Sequence, residues 1–154
     1  MLNLAGTFAL LSLGLLAQTD AVKEELKLLE GEWQVVGIES DGSKLPPDLL
    51  KSFTLTFKGT SFATKKVEKV DGKDREVQTE GTFKIDPTKS TKWIDISRAA
   101  NDVEPAKTYY ALYKLDGDKL TICQTRLADS KRPESLAPRK KIGIIILTLQ
   151  RVKR

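Results

Sequence analysis

Few residues in this chain are equipped to do chemistry. Its 154 residues include no histidine and a single cysteine, Cys123. The commonest general base, the commonest transition-metal ligand and the usual switch near neutral pH are therefore missing. Zinc, haem and iron–sulfur sites lose their usual donors with them. One cysteine forms no disulfide within the chain, so packing alone must hold the fold. Cys123 has no imidazole to activate it and falls inside an alternating apolar segment. It reads as a small buried hydrophobe rather than a nucleophile. Glu39, Asp41, Asp95 and Asp102 are candidates for paired acids in hydrolysis, but no spacing singles out a pair. Asp116-Gly117-Asp118 sets two carboxylates close together. Calcium wants about six to eight oxygens, and a tight hairpin turn accounts for the triplet without a metal.

The other charged grouping is basic. Lys131, Arg132, Arg139, Lys140 and Lys141 crowd the polar stretch 126–141. They suit an anionic surface, an acidic protein partner or a cell-envelope polymer; the alternative is a solvated loop. No stacking aromatics are interleaved with them, which disfavours nucleic acid. The net charge of +5 is modest and fits an ordinary soluble surface.

The elements that must carry these residues begin with an unusual segment. Residues 1–17 hold no charge, and 4–16 is almost wholly apolar. That run is short of the about 20 residues that span a bilayer. It resembles the apolar part of a secretory signal with a cut after Ala17. No Lys or Arg precedes it and Leu15 suits the cut poorly, so an uncleaved anchor and a misassigned start codon stay as alternatives. The expectation is a signal peptide at 1–17 and an exported domain at 18–154, with no stable membrane span after cleavage.

Residues 19–30 predict a short amphipathic helix, capped by Thr19 or Asp20, with Val22, Leu26 and Leu29 on one face. Gly31 suits its end, where a positive φ is needed. Alternation then predicts strands at 32–40, 52–58, 61–70, 75–86, 92–97, 107–115, 119–125 and 142–152. In the first, Trp33, Val35 and Gly37 share one side. The lysine-rich 61–70 suits an exposed face or an edge. Residues 45–48 carry two prolines and read as loop, as do 98–106. Turns at Asp41-Gly42, Lys58-Gly59, Asp71-Gly72 and Asp116-Gly117-Asp118 join strands directly. Direct turns imply an antiparallel meander. The predicted fold class is therefore all-β: an antiparallel barrel of about eight strands with an N-terminal helix, preferred over a two-sheet sandwich.

Gly31-Glu32-Trp33 after a short helix resembles the opening of the first strand in lipocalins. There the tryptophan plugs the closed end of the barrel and an arginine from the last strand packs across it. The resemblance assigns barrel closure to Gly31, Trp33 and Arg151. The family's Thr-Asp-Tyr type middle motif has no match here. A closer resemblance runs from Leu28 onward. It rests on Leu29–Trp33, Asp41-Gly42 with Leu45-Pro46, Leu55-Thr56-Phe57-Lys58-Gly59 and Gly81-Thr82-Phe83-Lys84-Ile85-Asp86-Pro87-Thr88-Lys89. It continues through Ile94-Asp95, Tyr113-Lys114-Leu115-Asp116-Gly117-Asp118, Leu120, Cys123 and Arg132-Pro133. This set is similar to an uncharacterised lipocalin-like domain family common in Planctomycetes. That family usually has phenylalanine shortly after Arg-Pro, where this chain has Leu136. The resemblance implies fold and export, and no activity.

Two expectations about content follow. In one, Phe53, Leu55, Phe57, Phe83, Ile94, Tyr113 and Ile122 line a cavity. The chain then binds a small apolar or amphipathic ligand without catalysis, cofactor or metal, as a monomer. In the other, the barrel is filled, and its loops, including Lys131, Arg132, Arg139, Lys140 and Lys141, bind a protein or an anionic envelope component.

Overall fold

A computed structural model describes residues 8–101 and 104–153, with 8–18 described by backbone alone. The expected signal lies partly, and Asp102 wholly, outside the described residues. The elements are helix α1 (Phe8–Leu29), then β1 (Gly31–Ser40), β2 (Ser43–Lys44), a 3-10 turn (Pro47–Leu50) and β3 (Thr54–Lys58). There follow β4 (Ser61–Val70), β5 (Lys73–Asp86), β6 (Lys92–Arg98), β7 (Lys107–Asp116), β8 (Lys119–Thr125) and β9 (Ile144–Arg151). From β3 to β9 each strand pairs antiparallel with the next. β1 pairs with both β3 and β9, which closes the sheet. The two-residue β2 only folds back on the end of β1. The result is the expected all-β fold, a closed, eight-stranded antiparallel barrel with an N-terminal helix. Closure pairs the strands on both sides around the barrel and leaves edges on the outer parts of β4 and β5.

Three expectations need correction. The helix begins at Phe8, not 19, and runs through Thr19 and Asp20 without a cap there. Leucine and alanine, plentiful just before that point, are strong helix formers and extend it. No described helix is long and apolar enough to cross a membrane. In β1 a bulge between Val35 and Gly37 shifts the register, so Ile38, not Gly37, follows Trp33 and Val35 inward. β4 bears out the expected exposed strand: β3 flanks only its first half, 61–65. Its outer part, 66–70, pairs with 73–77 of β5 alone and projects past the barrel as a ribbon. There the lysines are solvated on a two-stranded arm. Finally, Arg98 is not in a loop but ends β6.

One end of the barrel is packed solid. Trp33, Leu29, Phe57, Phe83, Ile94, Tyr113, Leu120 and Leu149 are each at most 2 % exposed. The Phe57 and Phe83 rings meet edge to face at 4.8 Å. Gly81 lets β5 and β6 pack at this layer: a Cβ there would lie 2.1 Å from the Ser97 carbonyl oxygen and 2.7 Å from the Phe62 ring.

Candidate functional site

The packed end is closed where the end of α1, the start of β1 and the end of β9 meet. The Trp33 Nε1–H donates to the Leu29 carbonyl at 2.9 Å, which joins strand β1 to the end of α1. The Arg151 guanidinium lies 4.2 Å from the Trp33 ring centre. It donates to the Glu30 carbonyl at 2.8 Å and to the Leu28 carbonyl at 2.5 Å, and its Nε is 3.3 Å from Asp118. Gly31, at φ 121°, passes so close that an added Cβ would sit 3.3 Å from Arg151. The structure brings Gly31, Trp33 and Arg151 into one cluster. Asp118 serves there as an anion for Arg151 and Lys153. Among the described residues no three carboxylates or thiols gather to hold a metal ion.

A second anchor here had no counterpart in the sequence reading. Glu25 lies on the same helix face as Val22, Leu26 and Leu29 and is 7 % exposed. It accepts from Lys92 Nζ at 2.6 Å and from the Tyr113 hydroxyl at 3.2 Å. Burial, and then the Glu25 carboxylate, push the Tyr113 phenol well above its ordinary range. A glutamate inside an apolar helix stripe was the available signal.

The other end is open. There the interior holds a cavity of about 240 Å³. Its apolar wall is Val35, Ile38, Phe53, Leu55, Phe57, Phe62, Ile96, Ile122, Ile145, Leu147 and Leu149. Its polar groups are Thr64, Lys66, Arg98, Tyr109 and Gln124. Of the seven residues expected to line a cavity, Phe53, Leu55, Phe57 and Ile122 do. Phe83, Ile94 and Tyr113 do not: they fill the closed end, because Trp33 and the helix anchor draw the packed layer up around them. The barrel is thus half filled and half hollow. The polar members went unnoticed, although parity marks each of them. Arg98 continues the inward series Ile94, Ile96; Gln124 continues Leu120, Ile122; Lys66 continues Phe62, Thr64. A wider cleft between the 3-10 turn and the β4–β5 ribbon leads in, sharing Ile38, Phe53 and Lys66 with the cavity.

The stretch 126–143 crosses the outside of the barrel, and this changes the reading of its basic residues. Arg132 donates to the Ala111 carbonyl at 2.6 Å and to Asp95 at 2.7 Å, with its guanidinium 4.4 Å from the Trp93 ring centre. Lys141 pairs with Glu39, and Arg126 with Asp41 at 2.5 Å. Three of the candidate acids are therefore partners of this loop rather than catalytic pairs. Arg132 and Lys141 are corrected from partner-binding to loop-fastening residues. Arg139 and Lys140 make no ion pair among the described residues, and Lys131 only a loose one with Glu134 at 3.7 Å. Leu112 and Cys123 face outward beside this strap yet are 2 % and 0 % exposed. Burial pushes the Cys123 thiol up to about 11, so it stays protonated at neutral pH.

No family model matches the chain, nor does any curated protein or solved structure.

Proposed function

We propose that this protein is a non-catalytic carrier that holds a small apolar or amphipathic molecule in the open half of its barrel. The observation that carries the reading is the cavity of about 240 Å³, walled by apolar side chains and reached through the cleft beside the 3-10 turn. Its volume falls slightly below the usual range of about 300–1,000 Å³ for ligand pockets, which limits the guest to a small one. The lining includes no carboxylate, thiol or aliphatic hydroxyl other than Thr64, which supports binding rather than turnover. The apolar run at 4–16 supports a place of action outside the cytoplasm.

A second reading rests on the strap. Ile142, 88 % exposed, shares a surface cleft with Arg139 and Lys140, and Leu127 on the same strap is 74 % exposed. Those residues suit a protein or anionic envelope partner.

Native mass spectrometry of protein purified from its own producing cells, without delipidation, tests the first reading. A reproducible added mass that is lost on denaturation is the expected result. A clean apo mass would shift the assignment to the strap.

A further inference from the structure

The cavity's polar groups are not scattered. Thr64, Lys66, Arg98 and Gln124 each follow an inward apolar series toward the open end, so they form a crown above an apolar floor. Gln124 is the telling member. It is only 9 % exposed and lines the cavity, and no side-chain nitrogen or oxygen of the described residues is left both fully buried and unpaired, so its amide is open to whatever the cavity holds. Arg98 lines the same cavity from β6. Its guanidinium lies 5.0 Å from the Tyr109 ring centre and makes no ion pair among the described residues. Lys66 adds a second cation, which pairs with Glu68 at the outer side of the same mouth.

We infer that the guest is a short-chain anionic amphiphile, of the medium-chain monocarboxylate type, held tail down with its head in this crown. This deepens the carrier reading and rests on it. The floor excludes charge and suits an alkyl chain. At roughly 30 Å³ for each water-sized group, the space of about 240 Å³ takes a chain of about eight such groups. Arg98 and Lys66 supply charge-assisted donors to a carboxylate, and the Gln124 amide N–H supplies a neutral one. No lining residue carries a negative charge, so a cationic head has no counterpart in the cavity.

Titration calorimetry of the full chain with octanoate and with octan-1-ol, at low salt, separates the two claims. The same floor serves both probes; only one uses the crown's charge. Octanoate should bind at least about tenfold tighter than octan-1-ol, as one or two charge-assisted bonds imply. Arg98→Ala, at an exposed strand end, should abolish most of that preference. Gln124→Leu, close in volume, should weaken octanoate and strengthen octan-1-ol. Equal binding of both probes to the unaltered protein would overturn the anionic head and leave the carrier reading standing. Binding of neither, up to their solubility limits, would overturn both.

Discussion

The Arg151 guanidinium lies over the Trp33 ring at 4.2 Å, and the two residues face each other directly in the β1–β9 ladder. The first and last strands of the barrel are therefore joined by backbone pairing and by a cation stacked on an indole. The same arginine reaches the carbonyls of Leu28 and Glu30, which α1 leaves without partners at its C-terminal end. Closing the barrel, capping the helix and plugging the base are thus done by one pair.

This pair should show measurable coupling. Trp33→Ala removes a fully buried ring and should cost about 3–5 kcal/mol. Arg151→Ala should cost less, about 1–3 kcal/mol, through lost hydrogen bonds. Urea unfolding of both single variants and the double variant should yield a coupling of about 0.5–2 kcal/mol, the scale of a partly desolvated cation on an aromatic face. Strict additivity would mean that the stacking contributes nothing.

The helix is tied to the barrel by Glu25, and its removal should be felt at Tyr113. Glu25→Ala leaves Lys92 and a buried phenol without their acceptor, at about 1–3 kcal/mol. Glu25→Gln should cost less, because an amide oxygen still accepts from the hydroxyl. Tyr113 also links the fold to alkaline pH. Its folded pKa is raised above the ordinary value of about 10, by burial first and by Glu25 second. The neutral phenol is the form the barrel keeps. This stabilisation is fully present below pH 10 or so and is lost as pH climbs above the unfolded value toward the folded one. Alkaline absorbance titration should show at least one phenol that ionises only when the barrel unfolds. Release of all three phenols before unfolding would remove Tyr113 from the buried site.

Alternation made most of the strands legible in the sequence, since a barrel with a buried interior imposes period two on nearly every strand. Trp33 and Arg151 were legible for the same reason, together with their place at the two ends of the domain. The bulge at Val35–Gly37 was not, because nothing local distinguishes an extra residue from a regular one. The boundary between filled and hollow halves was hidden as well. Phe83 and Phe57 have the same type and the same parity, and only their height along the barrel axis separates packing from lining. Height depends on strand stagger, which is a property of the whole closed sheet. The strap was misread for a different reason. Its cations looked free because Asp95, Glu39 and Asp41 lie 37, 102 and 85 positions away from their partners.

Gly81 is predicted to be intolerant of even one added methyl. A Cβ would fall 2.1 Å from the Ser97 carbonyl oxygen, a backbone atom of the paired strand that cannot rotate aside. Gly81→Ala should therefore cost about 1–3 kcal/mol or more, by forcing β5 and β6 apart. Gly59→Ala is the informative comparison. Its Cβ would meet nothing within 4 Å, so its cost comes only from φ 56°. Thermal unfolding should rank Gly81→Ala as the more damaging of the two. The reverse order would contradict the close approach of the strands.

Asp41 organises the open rim, and acid should loosen it there. It sits at φ 52° in the β1–β2 turn. Its carboxylate accepts from the Gly143 N–H at 2.6 Å and from Arg126 at 2.5 Å, so it ties that turn to both ends of the strap. The Gly143 bond first, and the Arg126 bond second, hold its pKa below the usual carboxylate range. The charged form is therefore the one the folded rim prefers. Its stabilisation is present above the unfolded value of about 4 and fades as pH falls through the lower folded value. Asp41→Asn preserves a side chain that tolerates a positive φ while removing the charge. The variant should lose stability at neutral pH and show a shallower decline between pH 4 and lower values. Protection of 126–143 against hydrogen exchange, taken relative to the intrinsic rate at each pH, should fall in the variant at pH 7 and in the unaltered protein only on acidification. If the acid profiles of the two proteins run parallel, the Asp41 carboxylate is not what fastens the strap.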